Sequence, residues 1–420
     1  MAVCFFNNFL DNEHKYRCEY EVLTDQIIVT VDYDITEEIE AVGGVKTFGS
    51  NIEYTQRDIL IADHDKRTNY LLKDAYYQRN SMIYGCPDDG AKTVFVSYTY
   101  FRSQSFESLV DLKKVPKINS ITIASNDLLR YITSNSVSKI EYEDRLVINL
   151  NRKADEEIRR IGTNNIKEII LRDYWFGGFN KDHSIVFDIT GHLELKLLKR
   201  ENYTEVPRYV YEILVFLQLY TKNSLAIDGI TVSIDGVSYD MFFRIRNNDN
   251  QIKRQTNEKS VQSSIMDFLE KCYSTIPYRK SKSEIRNIPY IVLNKHRSVE
   301  DNFLMYYRFI ECYYKKQNIP DIKRQFVAYS IAKNYLGHRK CLPAEQDNLA
   351  HEIVSLRNHY VHSGYYLRNG SLRIKFEDSS KNYTVKADAD WIYERMRILY
   401  ECSIDIIFKD MLGYNSYSFS

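Results

Sequence analysis

Ile230-Thr231-Val232-Ser233-Ile234-Asp235-Gly236-Val237-Ser238-Tyr239 sets the character of the first half of this chain. β-Branched and aromatic runs flank Asp235-Gly236, a pair that tolerates positive φ and so suits a two-residue hairpin turn. Working outward, Gln26 to Tyr33, Val94 to Tyr100 and Ser184 to Ile189 have the same character, each bounded by turn residues, and read as strands. One segment breaks the pattern. Val206-Pro207 followed by Tyr209 to Tyr220 is apolar almost all round, with proline near the first turn, and predicts a buried helix.

From about residue 261 the apolar period changes from two to three and four. Helices are predicted over Val261 to Tyr273, Ser298 to Lys316 with Ser298 as N-cap, Asp321 to Leu336 stopping at Gly337, Pro343 to His362, and Ala387 to Met411 stopping at Gly413. The expected fold class is therefore α+β: a β-rich N-terminal domain over 1–255, a polar connector with one helix over 256–297, and a C-terminal α-helical bundle over 298–420.

At 420 residues the chain exceeds the usual size of one core. Lys+Arg and Asp+Glu are both 57, so no global field draws it to nucleic acid or an anionic membrane, and any such site must be local. The apolar runs fall short of a membrane span, and Met1-Ala2-Val3-Cys4-Phe5-Phe6-Asn7 lacks the regions of a signal peptide, so a cytoplasmic location and no membrane partner are expected. The seven cysteines (Cys4, Cys18, Cys86, Cys272, Cys312, Cys341, Cys402) are scattered and form no CxxC pair, which predicts reduced thiols instead of a disulfide framework or a thiolate zinc site.

Several short patterns carry no chemistry. Gly85-Cys86-Pro87-Asp88-Asp89-Gly90-Ala91-Lys92-Thr93 nearly spells a phosphate-binding loop, but Ala91 intervenes before the lysine, two aspartates would repel phosphate, and a strand follows where a helix is needed. It reads as a turn, and Gly43-Gly44 and Gly177-Gly178, which also lack a strand-glycine-helix context, read as turns or bulges. His351, His359 and His362 lie within twelve residues, and a metal site would need a further ligand such as Glu352, but no HExxH pattern accompanies them; no metal or cofactor is expected.

Ser355-Leu356-Arg357-Asn358-His359-Tyr360-Val361-His362-Ser363-Gly364 is different. Near the end of an amphipathic helix it gathers a permanent cation, an amide and an imidazole that titrates near neutrality. A guanidinium fork can grip two phosphate oxygens and neutralise charge developing in a transition state. Imidazole can take or give a proton. Asn358 and His362 share a helix face, so the amide is placed to orient the ring or the phosphate. Arg357 and His362, five residues apart, are splayed by roughly 140° on an ideal helix. Either the helix distorts near Gly364, or two copies meet and complete a shared cleft.

Arg357 to His362 matches the RNxxxH signature and resembles the HEPN-domain ribonucleases of prokaryotic defence and toxin–antitoxin systems. Glu300-Asp301-Asn302-Phe303-Leu304 with Phe309-Ile310-Glu311 is similar to the opening helix of the ApeA-like anti-phage branch, and the similarity spans about 260–410. The resemblance implies a HEPN-like bundle and metal-independent cleavage of an RNA substrate by a homodimer or higher oligomer. It also implies a phage-derived trigger acting through the N-terminal domain. Arg357 would bind the scissile phosphate, His362 would act as general acid or base, and Asn358 would position, with Glu311 and His359 as accessory candidates. The alternative is a non-catalytic nucleotide- or RNA-binding regulatory protein built on the same cluster.

Overall fold

The computed structural model describes residues 2–6, 15–23, 25–31, 57–78, 93–113, 116–132, 137–142, 146–150, 156–179, 185–222, 225–244, 260–275, 298–315, 343–363, 370–376 and 378–418. The Gly85 to Lys92 stretch, Gly43-Gly44, the helix expected over Asp321 to Leu336, and most of the polar connector lie outside these residues. The described chain falls into two compact units, one of 1–158, 167–210 and 226–247 and another of 159–166, 211–225 and 248–420.

The first unit is built from strands. They are β1 (Ala2–Phe6), β2 (Lys15–Val22), β3 (Ile27–Val31), β4 (Arg57–Asp63), β5 (Thr68–Gln78), β6 (Thr93–Ser97), β7 (Thr99–Ser103), β8 (Lys117–Ser125), β9 (Val137–Tyr142) and β10 (Leu146–Leu150). After these come β11 (Glu157–Thr163), most of which belongs to the second unit, and then β12 (Ile166–Phe179), β13 (Ile185–Asn202), β14 (Gly229–Ile234) and β15 (Val237–Phe243). One short helix, α1 (Phe106–Val110), is capped by Ser105. A thirteen-stranded sheet runs in the order β11-β12-β13-β8-β14-β15-β7-β5-β4-β1-β2-β3-β6, and an additional β5–β6 pairing closes its last six strands into an antiparallel barrel. β9 and β10 form a separate hairpin.

Alternation explains the barrel. Cys4 and Phe6 on β1, Ile27, Val29 and Val31 on β3, and Ile59 and Ile61 on β4 recur at every second position, and together they fill the interior. The expected hairpin is present: β14 and β15 pair in register from Ile234↔Val237, and Asp235 (φ 51°) and Gly236 (φ 85°) form the turn with both central residues left-handed. Gly177-Gly178, expected as a turn or bulge, lies inside β12, which excludes the turn.

The second unit holds the carboxyl-terminal part of α2 (Val206–Thr221) and four further helices among the described residues: α3 (Ile265–Thr275), α4 (Val299–Lys315), α5 (Pro343–Ser363) and α6 (Ala389–Asp405). Between α5 and α6 stand two paired strands, β16 (Gly370–Ile374) and β17 (Tyr383–Ala387). Ser298 caps α4 through a bond from the Asp301 amide, as its sequence suggests. α3 begins four residues later than expected because the Ser264 hydroxyl accepts the Asp267 amide there. Likewise Asp388 accepts the Trp391 amide and sets the start of α6, which passes into a π-helical turn over Ile406–Met411 and ends at Gly413 (φ 65°). Tyr220 and Phe216 on α2 pack against Phe268 and Tyr273 on α3, with ring centroids 5.3 and 5.1 Å apart.

The fold class expected from sequence is corrected here. The protein is β-rich, dominated by the barrel and its extended sheet, and is not a β-rich N-terminal domain followed by a C-terminal α-helical bundle of HEPN type. Residues 159–166 and 211–225 belong to the second unit, so the units interleave along the chain. The C-terminal helices are also interrupted by the β16–β17 hairpin. The physical reason is that hydrophobic period reports each element's local type but carries no information about which elements share a core.

No helix among the described residues is long and apolar enough to cross a membrane. Among the described cysteines, Cys18 and Cys272 are free thiols.

Asp63 ties the barrel at the β4–β5 turn. Its carboxylate accepts the Tyr20 hydroxyl at 2.6 Å and the backbone amides of Asp65 and Lys66. Burial pushes its pKa up, but the bonds from Tyr20 and the Lys66 amide outweigh that and hold it below the ordinary carboxylate value. A depressed folded pKa gives stability that is complete above the unfolded value and lost as pH falls through the folded one. Asp63→Asn should therefore cost about 1–3 kcal/mol near neutral pH in urea unfolding, with the difference from wild type shrinking below roughly pH 4. An unchanged difference at pH 7 and pH 3 would refute this role.

Candidate functional site

α5 carries the Arg-Asn-His cluster, and its buried face determines where that cluster points. Ala350, Ile353 and Leu356 are wholly buried at helical spacing. Two polar residues are buried beside them. His351 stacks on Phe376 with centroids 3.9 Å apart, and its Nδ1 lies 2.9 Å from the Lys375 carbonyl oxygen, an acceptor that requires the proton on Nδ1. Glu352 accepts the Tyr383 hydroxyl at 2.7 Å on one oxygen, and Arg395 Nε and Nη2 at 2.9 and 2.7 Å on the other. Arg395 also lies over the Trp391 ring at 4.2 Å. Burial first, and then the bond to Glu352, pushes the Tyr383 hydroxyl pKa well up, so that proton stays as a donor. Both oxygens of Glu352 are thus engaged within the protein, which leaves the three histidines without the further ligand that the sequence offered.

The histidines also diverge. His351 is enclosed by the hairpin end, His359 is half-buried with its ring 6.3 Å from that of Tyr360, and His362 is exposed. Among the described residues no group of three or more His, Cys, Asp or Glu is placed to hold a metal.

Arg357 faces α4. Phe303 meets Tyr360 edge-on at 5.7 Å, and one turn along each helix the Arg357 guanidinium carbon lies 5.7 Å from the Tyr307 ring centroid. Because the second contact is one turn forward on α4 and one turn back on α5, the two helices run antiparallel. Arg357 Nη1 donates to Asn358 Oδ1 at 3.1 Å, so the amide holds the guanidinium. Arg357 makes no ion pair among the described residues. Tyr307 is buried, and its hydroxyl has no hydrogen-bond partner among the described residues. Burial, with the charge of Glu311 one turn along α4, pushes the Tyr307 hydroxyl pKa well up, and Arg357 opposes this only in part. Glu311 is therefore close to the cluster. α5 is α-helical through Ser363, so in a single copy Arg357 and His362 keep their splay of roughly 140°.

Tyr307, Tyr383 and Arg395 are the residues that sequence reasoning missed. The i, i+4 spacing of Phe303, Tyr307 and Glu311 puts them on one face and was available to find Tyr307. Nothing local says that this face meets Arg357. No family model, curated protein or solved structure matches the chain.

The Glu352–Arg395 pair, with both side chains about one-tenth exposed, should behave as a buried ion pair. Arg395→Ala should cost about 3–5 kcal/mol in urea unfolding, because it leaves the Glu352 carboxylate buried and uncompensated, and Glu352→Ala should cost less, because Arg395 Nη1 also meets the Glu394 carboxylate at 2.7 Å. The double replacement Glu352→Met with Arg395→Leu should cost far less than the two single changes together. Additive losses would show that the two groups do not act as a pair.

Proposed function

We propose that the protein is a metal-independent endoribonuclease that works as a homodimer through Arg357 and His362. The observation that supports this most is the state of Arg357: a half-buried guanidinium, steadied by Asn358 and by the Tyr307 ring, that makes no ion pair among the described residues. Such a group attracts an anion, and the fork geometry favours phosphate. His362, exposed on the same unbroken helix, supplies the proton carrier.

In the reaction the 2′-oxygen of a ribose attacks the adjacent phosphorus as the bond to the 5′-oxygen of the next nucleotide breaks. One base takes the 2′-hydroxyl proton, and one acid returns a proton to the leaving oxygen. Two imidazoles, one from each copy, fill those roles, and Arg357 offsets charge on the non-bridging oxygens. The need for an internal nucleophile favours RNA over DNA. Asn358 positions Arg357, with Glu311 and His359 as accessory groups at the edge. The unbroken α5 favours the two-copy arrangement over a bent helix. Together with the resemblance to the ApeA-like HEPN ribonucleases, this reading places the protein in the cytoplasm as part of a prokaryotic abortive-infection system, with the β-rich unit receiving the phage-derived trigger.

On mixed RNA in EDTA, Arg357→Ala and His362→Ala should each lower cleavage by about 10²-fold or more without lowering the urea midpoint, and Asn358→Ala should lose less. Full activity in either of the first two would sink the assignment, and RNA binding without cleavage by wild type would select the non-catalytic binding reading. Light scattering should give a dimer or larger species. A monomer that cleaves would show that the site is not shared.

A further inference from the structure

We infer that Tyr307 is a positioning residue for Arg357, its buried hydroxyl accepting an N–H of the guanidinium when the outer edge of that group engages a phosphate. This rests on the reading of Arg357 as a phosphate-binding group.

Two independent observations converge on it. The Tyr307 hydroxyl is buried with no hydrogen-bond partner among the described residues, an arrangement that destabilises a fold and that phenylalanine would avoid at the same volume. Arg357 lies over the same ring and spends one of its five N–H donors on Asn358. A guanidinium only donates, so between these two groups the hydroxyl oxygen must accept. With two donors on a phosphate and one on Asn358, a bond to Tyr307 would fix the remaining freedom of the fork, its rotation about the side-chain axis. The substrate never has to reach the buried hydroxyl, because Tyr307 acts through Arg357. Tyr360 provides an internal comparison. Its hydroxyl is also buried and unpartnered, but its ring packs on Phe303, and the charge that acts on it is that of Glu300 instead of Arg357.

The test compares Tyr307→Phe, Tyr360→Phe and wild type by urea midpoint, by kcat and KM for RNA cleavage, and by affinity for a 2′-O-methyl oligoribonucleotide, which binds but has no proton on its 2′-oxygen. Tyr307→Phe should keep or raise the midpoint while kcat falls about tenfold and KM changes little. Tyr360→Phe should leave kcat at the wild-type value. Unchanged kcat in Tyr307→Phe, a kcat loss that tracks a lowered midpoint, or an equal loss in Tyr360→Phe would each overturn the inference. If wild type does not cleave, the nuclease reading fails by itself and the oligonucleotide decides. Weakening of Arg357-dependent binding by Tyr307→Phe would support the positioning role. Binding untouched by that change would overturn it, and absence of any Arg357-dependent binding would overturn both readings.

Discussion

The helical part of the second unit is organised by one buried ion pair, Glu352 with Arg395. Removing a carboxylate and a guanidinium from water is unfavourable unless the remaining lone pairs and donors are satisfied. Here Tyr383 takes the second carboxylate oxygen, Arg395 presents two N–H groups to the first, and Trp391 covers the guanidinium face. These contacts join α5, α6 and β17 at a single point. Arg357 lies five residues beyond Glu352 on the same helix, so its direction toward α4 follows from the pair that anchors the other side.

The contrast between two arginines separates scaffold from candidate chemistry. Arg395 is enclosed, with its charge met by the Glu352 and Glu394 carboxylates. Arg357 is half-buried and meets an amide and an aromatic ring. Neither of those partners cancels a charge. A guanidinium kept in that condition, with Glu311 nearby but in no ion pair with it among the described residues, retains attraction for an anion arriving from solvent, and low polarity around it strengthens that attraction. Burial pushes the Tyr307 and Tyr360 hydroxyl pKa values further above their ordinary range, so these neutral groups add dipoles to the α4–α5 contact without adding negative charge.

Much of the local structure was legible in the sequence, and little of the global arrangement was. Asp235-Gly236 announced its hairpin because a turn of two left-handed residues leaves a chemical signature. Ser298 did the same for the start of α4. Barrel closure left no such trace, since it depends on Tyr76 to Gln78 reaching Val94 to Val96 after β5 has already paired with β4. The β16–β17 strands were missed because two five-residue strands packed against helices give too short an alternation to stand out from a helical period. In the site, Arg357, Asn358 and His362 were readable as a motif. Tyr307 was not, because its significance comes from a neighbour on another helix, and Glu352 gave no sign that its charge was already committed.

β5 carries a final consequence. Along one edge it pairs with β7 through Asn69 to Lys73 and then with β6 through Tyr76 to Gln78. The change of partner falls at Asp74, whose φ of 51° turns the strand. Asp58 accepts the Asp74 amide and the buried Lys73 ammonium, and Tyr203 donates its hydroxyl to the Asp74 carboxylate. One strand therefore serves as both the wall of the barrel and the margin of the outer sheet. Neither can detach without tearing the other's ladder, so the first unit should melt as a single cooperative block and not as a barrel with a separable appendage.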